Sequence, residues 1–156
     1  MAVRVHVSSD LKPFVGDLLT KEDMQGVGDL LVRRIRTRTE AGIDDQGRGF
    51  KPYSTLYALQ KAKALGHTRV DLTVSGRMLN DMQVTEATQK SVSISFVSQG
   101  GGSGRGTFIQ RSAALGAADK AAFNDPIRPF FQPSDEDIEL IEKVLDEALT
   151  KRMEKL

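Results

Sequence analysis

The sequence predicts an α+β fold: a small antiparallel sheet packed against a long N-terminal and a long C-terminal helix, with short extra helices. Three observations carry this. Residues 20–41 and 134–155 repeat apolar side chains at three- and four-residue steps, the mark of an amphipathic helix. Residues 3–7 and 91–98 alternate apolar with polar, the mark of a strand with one packed face. Between them lie short apolar segments bounded by glycine, proline and aspartate, too brief for long helices. At 156 residues the chain reads as one domain, 1–156.

Val3, Val5 and Val7 alternate with Arg4 and His6 in the first strand, which leaves His6 on its polar face. The first long helix opens on Thr20 with Asp23 as a capping pair, and Met24, Val27, Leu31 and Ile35 form its stripe. Gly26 and Gly28 each weaken it by about 1 kcal/mol relative to alanine. They either admit a close neighbour or mark a bend. Arg33 and Arg36 project away from the stripe, while Arg34 and Arg38 continue it. A basic helix end facing solvent accounts for all four. A positive surface for an acidic subunit or for DNA phosphates is the sharper alternative.

Residues 44–49 break the helix, and Phe50-Lys51-Pro52-Tyr53 is held extended because proline disfavours helical backbone before it. Ser54 caps a short helix over 55–65, basic on one side through Lys61 and Lys63, and Gly66 ends it. His67 then falls in a surface turn. Leu72-Thr73-Val74 is expected to be extended, with Ser75 capping a further helix over 76–82 that turns Met78, Leu79 and Met82 inward. Residues 83–87 form a mixed strand. Residues 91–98 form the clearest one, Val92, Ile94 and Phe96 packed against a plain serine face. The Gly100–Gly106 loop lacks the lysine of a phosphate-binding loop, and Arg105 is misplaced for one, so it reads as a hairpin loop returning through 107–109.

Residues 112–123 suggest a short helix interrupted by Gly116, and residues 124–129 a second extended break that delivers Phe130 and Phe131 to the core. Ser134 and Asp137 cap the last helix, with Asp135 and Glu136 at the positive end of its dipole. Its buried stripe is Ile138, Ile141, Leu145, Ala148 and Leu149, widened by Val144.

No reactive constellation can be assembled, and the expectation is a protein that is not an enzyme and needs no cofactor or metal. There is no cysteine, neither histidine belongs to a metal-binding pair, and turn and capping roles account for the clustered carboxylates. No apolar run reaches the roughly 20 residues a membrane span needs, and the N-terminus has no apolar signal core, so a soluble intracellular protein is expected. A net charge of +1 gives no global reason to expect nucleic acid.

Two phrases in the chain resemble a known family. Gly47, Phe50, Pro52, Ser54, Tyr57 and Lys61, followed by Leu72, Ser75, Gly76 and Leu79, form the first. Pro126-Ile127-Arg128-Pro129-Phe130-Phe131 with Ser134, Asp135 and Asp137 forms the second. In this order they resemble the phage virion morphogenesis, or tail completion, family of tailed bacteriophages and prophages. The aromatic-histidine-glycine phrase that such proteins often carry near residues 112–123 is missing here.

The resemblance implies a structural protein of the head–tail interface, acting in tail completion and head–tail joining as a subunit of a ring, usually a hexamer. Implied partners are further copies of the chain, the head connector and neck proteins, and the tail tube or tail terminator, with a passing contact to DNA in the lumen. The implied place is the virion neck, assembled in the bacterial host cytoplasm. Two alternatives stand beside it: a tail terminator capping the tube, and a small basic-helix nucleic-acid-binding module. Candidate residues for subunit or partner contact are Arg33, Arg36, Arg48, Phe50, Tyr53, Arg105 and Arg128.

Overall fold

The computed structural model describes the backbone of residues 2–6 and, in full, residues 18–73, 77–97 and 116–155. Along the chain come β1 (Ala2–His6), α1 (Lys21–Glu40), α2 (Thr55–Leu65), α3 (Arg77–Asn80), β2 (Met82–Ala87) and β3 (Ser91–Phe96). Two further helices follow, α4 (Ala117–Asn124) and α5 (Asp135–Met153). The architecture is α+β, as the periodicities predict.

The sheet is antiparallel with strand order β1-β3-β2. Val3 lies opposite Ile94 and Val5 opposite Val92. β2 and β3 form a hairpin whose register slips between Val84 and Glu86, leaving Thr85 as an extra residue. Because β3 is the middle strand, Ser93 is flanked on both sides and is buried along with Val92, Ile94 and Phe96. The serine face is therefore less open than alternation alone suggests.

α1 lies across β2 and β3, and α5 packs against α1. Met24, Val27, Leu31 and Ile35 are fully buried, which makes α1 the centre of the core. Gly28 is where helix and sheet come closest: a Cβ there would lie 2.5 Å from Val84 Cγ2 and 2.6 Å from Val92 Cγ2. No atom of the described residues lies within 4 Å of the equivalent position on Gly26, which is exposed. Phe130 and Phe131 are buried as expected, both tilted against Phe96 with centroids 6.3 and 4.9 Å away.

Several boundaries differ from the sequence-based expectation. α3 stops at Asn80, so Met82, still buried, belongs to β2. Leu72 has a positive φ of 52°, so residues 72–73 are a turn rather than extended chain. The second break is a turn too: Asp125 continues the helical backbone after α4, and the N–H groups of Ile127 and Arg128 donate to the Asn124 carbonyl. Ile138 lies at the margin of the α5 stripe and is 44% exposed. Val7, Val74, the cap at Ser75, residues 98–115 with their glycine loop, and Arg105 lie outside the described residues.

Candidate interaction surface

The six described candidate contact residues do not form one surface. Arg33 is exposed at the solvent side of α1, where its Nε donates to the Asp29 carbonyl at 3.3 Å. Arg48 is also exposed, 3.0 Å from Asp44 at the tip of the loop after α1. That loop is built by Asp44, whose Oδ1 accepts from the N–H groups of Gln46 (2.9 Å) and Arg48 (2.7 Å).

The other four described candidates are drawn into the chain's own structure. Arg36 donates to the Leu79 carbonyl at 3.2 Å and the Met82 carbonyl at 3.4 Å, so it closes the end of α3 instead of standing free. Phe50 is buried in the core. Arg128 is buried, and its guanidinium donates to the Lys51 carbonyl at 2.7 Å and the Pro52 carbonyl at 2.9 Å. It also stacks over the Tyr53 ring, 4.7 Å from the centroid.

Tyr53 is the hub of this region. Its hydroxyl accepts from the Leu72 N–H at 3.2 Å, and Tyr57 meets its ring edge-on at 4.7 Å. Lys61 Nζ stands 5.1 Å from the same ring centroid. Burial, with Tyr57 and Asp71 adding to it, pushes the Tyr53 hydroxyl well above the usual tyrosine range, so it stays a neutral hydrogen-bonding group.

Among the described residues Lys61 is one of the largest side chains that are fully buried, and it is a charged one. Its ammonium is paired with Asp71 and donates to the Arg69 carbonyl at 2.6 Å. Burial alone would raise the Asp71 carboxyl. Hydrogen bonds from Lys61 and Thr73 outweigh it and hold Asp71 below the ordinary range. Helical geometry places Lys61 one turn beyond Tyr57, on the same face. That spacing is the signal by which the sequence could have shown that the lysine points inward.

Turning Tyr57 and Lys61 inward turns the leucines out. Leu56 is 69% and Leu59 61% exposed, the reverse of what an amphipathic reading of α2 expects. Lys63 follows one turn after Leu59 on the same face and is exposed as well.

The arginines ending α1 are also largely committed. Arg34 pairs with Asp137, as does Arg38, with Nη1 2.6 Å from Oδ2. Arg38 Nη2 donates to the carbonyls of Phe130 (2.9 Å) and Gln132 (2.7 Å). A groove of about 780 Å³ runs past these groups, lined by Arg33, Arg34, Arg38, Asp45, Gln46 and Glu136 among others. Charges of both signs line it. Burial and the nearby Asp44 raise the Asp45 carboxyl above its ordinary value, against the pull of Arg38.

Among the described residues no cluster of three or more histidine, aspartate or glutamate side chains could hold a metal ion, and no helix is long and apolar enough to cross a membrane. Compared with protein-family models, with curated proteins and with solved structures, the chain finds no match.

Proposed function

We propose that the chain is a structural subunit of the head–tail interface of a tailed phage, acting in tail completion as one member of a ring. It works by shape, with no bond made or broken. The observation that carries this reading is the junction between the two family-like phrases. Arg128, from the second, donates to the Lys51 and Pro52 carbonyls of the first and stacks on Tyr53. Segments 76 residues apart in sequence thus form one locked unit, which supports reading both phrases as parts of a single scaffold.

The arginines fit this reading better than a nucleic-acid module. Arg34 and Arg38 spend their charge on Asp137, and Arg36 on backbone carbonyls. Of the four, Arg33 is the exposed one. The experiment is deletion of the gene from the phage or prophage that carries it, followed by electron microscopy of the lysate. Completed heads and tails that fail to join support the proposal; normal virions reject it.

A further inference from the structure

α2 exposes the side chains a helix ordinarily buries. Leu56 and Leu59 stand out to solvent with Lys63 beside them, and α2 packs extensively against no other described helix or strand. What holds it is polar and aromatic: the Lys61–Asp71 pair and the Tyr53–Tyr57 contact. Two leucines and a lysine on one helix face are a small apolar contact with a cationic edge. Of the five lysines and arginines in residues 46–70, Arg48, Lys61 and Arg69 are paired with Asp44 or Asp71, which leaves exposed Lys51 and Lys63 without an acidic partner among the described residues.

The complement lies elsewhere on the same molecule. α5 carries seven acidic side chains against three basic ones. On its outward side Ile138 is 44% exposed, and exposed Glu142 and Asp146 follow at four-residue steps. This is an apolar point with an anionic edge, matching α2 in both hydrophobicity and charge.

We propose that the Leu56–Leu59–Lys63 face of α2 docks on the Ile138–Glu142–Asp146 face of α5 in a second copy of the chain. The two patches differ, so the contact is heterologous: each copy offers α2 to one neighbour and α5 to the other. Repetition of such a contact gives a closed ring or an open filament. The inference rests on the ring-subunit reading for closure, while the docking itself follows from the two faces.

The chain has no cysteine, so single thiols can be introduced without interference. Leu59→Cys and Ile138→Cys are both at exposed positions, and circular dichroism of each variant should match the parent. When the two variants are mixed and mildly oxidised, a disulfide-linked dimer should form that neither gives alone. The reciprocal charge test uses sedimentation velocity. Lys63→Glu and Glu142→Lys should each weaken association several-fold, and mixing the two single variants should recover part of it.

A dimer formed by Leu59→Cys alone would mean that α2 meets α2, and would overturn the proposal. So would a parent protein that stays monomeric at high micromolar concentration, or an oligomer in which the mixed variants never cross-link. Failure of the phage assignment would look different: virions would form normally without the chain, while the mixed-thiol dimer still appeared.

Discussion

Arg38, in the last turn of α1, holds Asp137, in the first turn of α5, with Nη1 2.6 Å from Oδ2. Asp137 also caps its own helix, accepting from the Ser134 N–H at 2.9 Å while its N–H donates to the Ser134 hydroxyl. The opposite ends of these helices repeat the arrangement. Arg152, near the end of α5, lies 2.8 Å from Asp23, the capping-box aspartate of α1. Each long helix thus has its capping carboxylate gripped by an arginine from the far end of the other, which fixes them antiparallel.

The two clamps differ in burial, and that sets their worth. Asp137 is essentially inaccessible, so Asp137→Asn leaves the largely buried Arg38 and the partly exposed Arg34 facing a neutral amide and should cost about 3 kcal/mol. Asp23 is partly open, and Asp23→Asn should cost nearer 1 kcal/mol, a cap and a screened pair together. Urea unfolding of both variants measures the difference. Equal losses would show that burial does not govern these pairs.

Acid should unfold the protein, and the sign can be worked out. Burial raises the Asp137 carboxyl, but Arg34, Ser134 and Arg38 together bring it below the ordinary value. Asp71 is lowered likewise by Lys61 and Thr73, and Asp44 by Arg48 and Gln46, against the same opposing burial. A carboxylate lowered by folding contributes stability above its unfolded pKa, about 3.9, and loses it as pH falls through the folded value. Asp45 runs the other way. Raised by burial and then by Asp44, it favours folding when protonated and loses that contribution as pH rises through its folded value. With Asp23, lowered by Thr20 and Arg152 against burial, four lowered groups outweigh one raised group, so the melting temperature should drop steeply below about pH 4. Asp45→Asn should raise the melting temperature at pH 7 and lose that advantage in acid. Thermal melts across pH, followed by circular dichroism, check both; a flat profile would refute the carboxylate account.

Much of the fold was legible because its signals are local. Thr20 with Asp23 and Ser134 with Asp137 both form the predicted capping boxes, and Gly66 ends α2 in the left-handed region with φ 75°. The burial of Phe130 and Phe131 followed from their place between prolines and a helix cap. The candidate surface was less legible, because its residues are governed by partners distant in sequence. Arg36 and Arg128 read as free cations until the fold brings backbone carbonyls 43 and 76 or 77 residues away to meet them. The sequence puts Lys61 and Lys63 together on a basic side of α2, whereas pairing with Asp71, ten residues on, takes Lys61 inward and leaves Lys63 exposed.

Gly26 and Gly28 stand two residues apart in α1 and should answer opposite ways to one substitution. Gly26→Ala adds a methyl into open space and recovers helix propensity, a gain of about 1 kcal/mol. Gly28→Ala gains the same propensity but drives a methyl into Val84 and Val92, β-branched side chains that cannot swing aside. Overpacking of that kind costs about 1–3 kcal/mol and should leave the variant less stable than the parent. Chemical denaturation of the pair decides it, and a stabilised Gly28→Ala would mean that α1 does not press on the sheet there.

The Lys61–Asp71 pair offers the sharpest test of how α2 is held. Lys61→Met keeps most of the side-chain volume but strands the Asp71 carboxylate, leaving it Thr73 and a 3.5 Å approach from the exposed Arg69. Asp71→Asn removes the buried ammonium's counter-charge instead, leaving it neutral oxygens to donate to, the amide's and the Arg69 carbonyl. Breaking a buried pair from either side costs about 3–5 kcal/mol, and the partial cover from Arg69 puts Lys61→Met at the lower end. Removing both charges, as Lys61→Met with Asp71→Leu, should restore a large part of that loss, because neither charge is then left buried alone. A double-mutant cycle in urea, with Asp71→Leu as the second single variant, would read a coupling of about 3 kcal/mol or more, because the two single losses together far exceed the loss in the double variant. Additive losses would mean that the two charges do not depend on each other, and that the Tyr53–Tyr57 contact alone orients α2.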